Sequence, residues 1–185
     1  MDVDAFHRNL KALYLPPRDV FTSVEVPEIR FMAIDGEGDP NTSGMKACVT
    51  WLHEIACVVK PLIKARIWKR FAEPPFECLI WTPDPEDFAL GRKDKWHWCA
   101  MVVLIDWISK AKFEEAVLEV SQKLGPKPDS LRIVEREEGR CVQTLHTGGS
   151  DGIRPLCERL FRVYLPENGL LPDGPYHEIY LTPTA

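Results

Sequence analysis

Hydrophobic and polar positions along this chain switch repeatedly between two periods, and the switches mark its elements. Val24 to Asp35 alternates and predicts a long strand, kinked at Pro27 because the residue before a proline is pushed to extended geometry. From Met45 to about Arg70, Val49, Leu52, Ile55, Ala56, Val59, Leu62 and Ile63 recur at threes and fours. That is a helix broad enough to cover a sheet, and Pro61 should kink or divide it. Phe76 to Trp81 reads as a strand. Trp96 to Trp107 reads as a longer one, opening Trp96-His97-Trp98 and apolar on both faces afterwards, as a covered central strand would be. Ser109 to Leu124 is an amphipathic helix closed by Gly125-Pro126. Leu131 to Glu137 alternates and passes through Glu138-Gly139-Arg140 into Cys141–His146, which predicts a hairpin. Gly152 to Leu165 is the third helix, with Pro155 in the first turn where proline is tolerated. Residues 1–20 form an arm, a short helical pattern (Phe6, Leu10, Leu13, Tyr14) stopped by Pro16-Pro17. Antiparallel strands with helices on one face make the class α+β.

The last strand organises the rest. Pro175-Tyr176-His177-Glu178-Ile179-Tyr180-Leu181-Thr182-Pro183 has β-formers between two terminating prolines. Alternation puts Tyr176, Glu178 and Tyr180 on one face and His177, Ile179 and Leu181 on the other. The same frame occurs earlier as Pro75-Phe76-Glu77-Cys78-Leu79-Ile80-Trp81-Thr82-Pro83, so Phe76 answers to Tyr176 and Cys78 to Glu178. Each framed strand follows a strand ending in glycines and acids and then a helical pattern, so a strand-helix-strand unit is used twice. Paired about a pseudo-two-fold axis, the units would leave a groove floored by Tyr176, Glu178 and Tyr180 and by Phe76, Cys78 and Ile80. Trp81, Trp96 and Trp98 would come in from neighbouring positions.

A carboxylate among rings suits a proton donor or a counter-ion for a lipophilic cation; on an open face it is an ordinary strand glutamate. Six tryptophans, with Trp81, Trp96 and Trp98 near one loop, point to a site for a flat apolar ligand or else to plain core filling. Glu77 falls on the opposite face from Glu178 and reads as a surface carboxylate. His97 reads as a packing histidine, and His177 should point away from Glu178. The loop Thr82 to Lys95 is long enough to be a binding loop.

Bulk properties narrow the classes. The chain has 185 residues, 45% hydrophobic and 28% charged, which fits a single domain over 1–185. A net charge of −5 without a Lys/Arg run gives no nucleic-acid footprint. No apolar run approaches the roughly 20 residues that span a bilayer, and the acidic Met1-Asp2-Val3-Asp4 is unlike a signal peptide. Six cysteines without a CxxC pair read as buried reduced thiols in a cytoplasmic protein. Histidines do not fall at metal-ligand spacing, and Gly36-x-Gly38 without a following Lys-Ser/Thr reads as a turn, so neither metal nor cofactor is expected.

Several strings resemble one family. Val26-Pro27-Glu28-Ile29-Arg30-Phe31, Asp35-Gly36-Glu37-Gly38-Asp39-Pro40-Asn41, Lys93-Asp94-Lys95-Trp96-His97-Trp98, Cys141-Val142-Gln143 with His146, and His177-Glu178-Ile179-Tyr180-Leu181 are similar to the signatures of GyrI-like small-molecule-binding proteins. The resemblance implies two strand-helix-strand-strand (SHS2) modules about a pseudo-two-fold, with a ligand cleft between them. It implies a small-molecule ligand, as in the effector domains of multidrug-sensing regulators, where a last-strand glutamate matching Glu178 faces cationic drugs. In the stand-alone branch it also implies hydrolases that open the cyclopropane of cytotoxic alkylating natural products. On that pattern Glu178 is the catalytic candidate and Tyr180 the second polar group. Tyr180, Trp81, Trp96 and Trp98 are then the candidates for ring contacts, and Tyr176, Phe76, Cys78 and Ile80 join them as ligand-binding candidates from the groove floor read above. With no helix-turn-helix segment ahead of Val24, the chain is not expected to bind DNA itself. A protein partner such as DNA gyrase would rest on the family name alone.

Overall fold

The computed structural model describes residues 13–63, 75–84, 87–88, 90–149 and 152–181. In chain order its elements are β1 (Thr22–Val26), β2 (Ile29–Glu37), α1 (Ser43–Val59) with a 3-10 turn (Lys60–Ile63), β3 (Phe76–Trp81), β4 (His97–Val103) and α2 (Lys110–Leu124). Then follow β5 (Arg132–Arg136), β6 (Gly139–Gln143), α3 (Ile153–Arg159) and β7 (Tyr176–Tyr180). The chain divides into two compact units, Met1–Glu28 with Glu137–Gly174, and Ile29–Arg136 with Pro175–Ala185.

The larger unit is an antiparallel five-stranded sheet in the order β5-β2-β4-β3-β7. Alternation sorts its side chains. Met32, Ile34, Cys78, Ile80, Trp98 and Ala100 lie on the face that both α1 and α2 cover, and together they form the main core. Leu52 and Ile55 of α1 are wholly buried there, each worth about 1.5–3 kcal/mol relative to exposure. Phe31, Ala33, Leu79, Cys99, Met101 and Val103 make a second cluster on the other face. Helices on one face of an antiparallel sheet are the α+β class expected.

Local rules account for the ends. Ser109 caps α2 by accepting from the Lys112 amide at 3.3 Å, and Gly125 beyond its end takes φ 95°. Pro61 has no amide hydrogen, and α1 gives way to 3-10 geometry one residue before it. The expected continuation of that helix to Arg70 lies outside the described residues, as does residue 1–12 of the arm. Leu13 and Tyr14 are buried.

Three expectations are corrected. The strand expected to reach Trp107 stops at Val103, where the Arg30 guanidinium donates to the Asp106 and Ile108 carbonyls (3.2 and 2.8 Å) and holds a turn that leaves Trp107 exposed. Leu131–Glu137 and Cys141–His146 do not pair with each other: β5 pairs with β2 and β6 with β1. Gly139, at φ 61°, opens β6, which belongs to the smaller unit. Gly36 is a strand residue and not a turn, because the Trp98 ring lies across it and a β-carbon there would sit 2.1 Å from that ring. The turn falls to Gly38, at φ 87°.

The smaller unit is a two-stranded antiparallel ribbon of β1 and β6, with α3 running through a π-helical turn (Leu160–Tyr164) into a last turn at Leu165–Glu167. Arg159 lies 4.8 Å over the Phe21 ring and donates to the Asp19 carbonyl at 2.8 Å, while Phe21 meets Tyr164 at 5.0 Å.

Candidate functional site

The larger unit brings the two framed strands together. β3 and β7 are hydrogen-bonded neighbours, with Cys78 opposite Glu178, Phe76 opposite Tyr180 and Ile80 opposite Tyr176. The repeat in sequence equates Phe76 with Tyr176 and Ile80 with Tyr180, so Phe76 pairs with the counterpart of Ile80 and Ile80 with the counterpart of Phe76. The centres of the two frames, Cys78 and Glu178, stand opposite each other.

Around this centre the face is aromatic. Phe76 and Tyr180 meet at 5.3 Å between ring centroids, and the Tyr180 hydroxyl donates to Glu178 Oε2. Tyr176 and Tyr180 are partly buried against the main core, and Glu178 between them is half-buried. Trp98, 3% exposed, and Trp96 sit on the same side of the sheet, and their indole N–H groups are buried without a hydrogen-bond acceptor among the described residues. Burial, with the Glu178 charge in second place, pushes the Tyr180 hydroxyl well above its ordinary value, so it stays a donor at neutral pH.

Two thiols carry the clearest pH consequence. Burial first, and the charge of Glu178 second, push the Cys78 thiol from 9.0 up to about 12, and burial with the Asp35 carboxylate does the same for Cys99. Above about pH 9 the unfolded chain releases these protons while the fold retains them. Their contribution to stability is complete below that value and is lost as the pH climbs through 12, by up to ~1.4 kcal/mol per thiol per pH unit. Urea midpoints are expected to drop between about pH 8 and 10.5, and a Cys78→Ala/Cys99→Ala protein to lose less over the same range; equal losses would contradict it.

Eight of the nine residues expected at the site share this face. Trp81 does not. It lies on the opposite side, 37% exposed and stacked on His97 at 5.8 Å, because strand alternation separates it from Ile80. There it lines a shallow depression of about 500 Å³ with Asp35, Gly36, Glu37, His97 and Arg132. His97, stacked on Trp81, sets its Nδ1 3.5 Å from Glu37 Oε1. Glu77 also departs from expectation: it is 1% exposed rather than at the surface, and its Oε2 lies 3.0 Å from His177 Nε2. His177 points away from Glu178 as alternation requires.

Sequence reasoning missed Phe88. Its ring stacks on Trp96 at 5.2 Å and tilts against Tyr176 at 5.7 Å. The unusual length of the loop that carries it was the available signal. All six cysteines are thiols outside any disulfide. Among the described residues no group of three His, Cys, Asp or Glu side chains is placed to hold a metal, and no helix is long and apolar enough to cross a membrane.

Comparison with known proteins places these features. Residues 21–185 match the model of the GyrI-like small molecule binding domain. Among solved structures the chain is similar to an uncharacterized conserved protein from Listeria innocua, with 28% identity over 96% of this chain and 90% of that one and a TM-score of 0.78. It is also similar to two structures, each described as a hydrolase from Listeria innocua. One has 26% identity and a TM-score of 0.73, the other 28% and 0.74, each covering 96% of this chain and 89% of that one. No curated relative matches the chain.

Proposed function

Since the chain belongs to the GyrI-like small-molecule-binding domain family, we propose that its ligands are hydrophobic, drug-like molecules, lipophilic cations among them, taken up on the Glu178 face. The observation that carries this is a half-buried carboxylate at the centre of a duplicated register, flanked on its own strand by Tyr176 and Tyr180. Rings attract a cation through their electron-rich faces, and the carboxylate supplies the opposite charge at short range. The experiment is a calorimetric titration of tetraphenylphosphonium into the wild-type protein and into Glu178→Gln. Saturable binding by the first and a large loss in the second is the expected pair of results.

A second reading, hydrolysis of a cyclopropane-bearing alkylator, is favoured by the Tyr180–Glu178 hydrogen bond and by the two Listeria hydrolases. In this reading Glu178 takes a proton from water as its oxygen attacks a cyclopropane carbon. The carbon–carbon bond breaks, its electron pair passes into the conjugated acceptor, and the proton returns to that acceptor from Glu178. Tyr180 holds the carboxylate in place and steadies its charge. Catalytic protein incubated with excess alkylator is then expected to open many equivalents; consumption that stops at one equivalent would restrict the site to binding.

A further inference from the structure

The aromatic surfaces that a flat ligand would use are not bare. Phe88 stacks on Trp96, with 23° between ring planes, and leans on Tyr176 at 56°. It is also packed against the main core, although its backbone belongs to the connection between β3 and β4, helical at Asp87 and Phe88, and not to the sheet. Trp96 adjoins β4 and Tyr176 begins β7, so neither can withdraw without disturbing a strand. Phe88 is held by no strand.

The turn that carries this ring is braced by its own atoms. Arg92 donates from its guanidinium to Asp87 Oδ1 and from its amide to the Asp87 carbonyl, both at 2.9 Å. Gly91 donates to the Phe88 carbonyl at 3.0 Å and takes φ 66°, a conformation that suits glycine and lets the chain double back. Exposed on the Arg92 side, this brace is a weak clasp and not a permanent fixture.

We infer that Phe88 is an internal plug: its ring occupies the place between Trp96 and Tyr176 that a ligand's ring would take, and binding requires its departure. This rests on the Glu178 face being the ligand site. A protein that must first clear its own ring binds with an affinity lowered by the fraction of molecules already open, so removing the ring should tighten binding. The plug also acts as a specificity filter. Ligands that gain more from Trp96, Tyr176 and Glu178 together than the single Phe88 ring does displace it, and smaller or non-aromatic ones do not.

The test titrates tetraphenylphosphonium into wild type, Phe88→Ala, Arg92→Ala and Phe88→Ala/Glu178→Gln, with stopped-flow association rates alongside. Phe88→Ala is expected to bind about tenfold more tightly and to associate faster, and Arg92→Ala to shift two- to threefold in the same direction. The double variant should lose most of that affinity. Binding in Phe88→Ala but not in wild type would also support the plug. Unchanged or weaker binding in Phe88→Ala, with Glu178 still required, would overturn the plug and make Phe88 a wall of the site, leaving the site itself standing. Binding by none of the proteins would overturn both.

Discussion

Glu178→Gln is expected to weaken tetraphenylphosphonium binding by roughly 30-fold, about 2 kcal/mol. Two unit charges some 4–5 Å apart attract by about 3–4 kcal/mol at an effective dielectric near 20. The half-exposure of Glu178 and the hydration it retains bring the figure down. Glutamine keeps the length and an acceptor oxygen for the Tyr180 hydroxyl, so the variant removes charge with little change of shape. A neutral ligand of similar size, triphenylphosphine oxide, is the internal control and should bind both proteins alike. Equal loss for both ligands would mean that the substitution damaged the face rather than its charge. Loss for neither would remove Glu178 from the function. The cation's affinity for wild type should also fall as salt is raised, while the variant's should hardly respond.

The second large effect lies on the other side of the same two strands. His177→Ala is expected to cost about 3 kcal/mol of stability, read as a lower urea midpoint with an unchanged slope. The substitution takes the imidazole away from a carboxylate that is 1% exposed, and a buried acceptor that loses this contact cannot recover the difference from water. The pair is asymmetric. His177 keeps 18% of its side chain exposed and Glu77 2%, so Glu77→Leu, which leaves behind the group nearer to water, should cost less than His177→Ala. Glu77→Leu/His177→Leu should recover most of the loss, since apolar residues of similar volume often replace a buried ion pair at little cost. A double variant as unstable as His177→Ala would show that the loss came from packing and not from the stranded acceptor. Among the described residues β7 is bonded to β3 alone, so this pair also ties the strand that bears Glu178 to the rest of the sheet.

Reading residues in order went furthest where the physics is local. Proline, with its missing amide and crowded neighbour, acts at Pro27 where the pattern placed it, but the expected single strand with a kink is in fact two strands, β1 and β2, that belong to different sheets. Ser109 and Gly125 bound α2 because capping involves atoms within one turn. Glycine was less legible: Gly36, Gly38 and Gly139 look alike in a string, but one makes room for Trp98, one turns the chain and one opens a strand. The difference lies in atoms many positions away, and so does the choice of β2 and β1, rather than each other, as partners for β5 and β6.

Sequence alone settled which side chains share a face of a strand, because a pleat of period two sends Tyr176, Glu178 and Tyr180 one way and His177 and Ile179 the other wherever the strand is placed. The repeated proline frame likewise identified β3 and β7 as counterparts before either had a position. Tertiary structure alone decided that these counterparts pair, with Cys78 set opposite Glu178, and that the face behind them is closed enough to bury Glu77. It also decided that Phe88, from the connection between β3 and β4, covers Trp96 and Tyr176. The reason is the same in each case. Direction follows from bonds along the chain, whereas burial and partnership follow from what the rest of the molecule brings up against them.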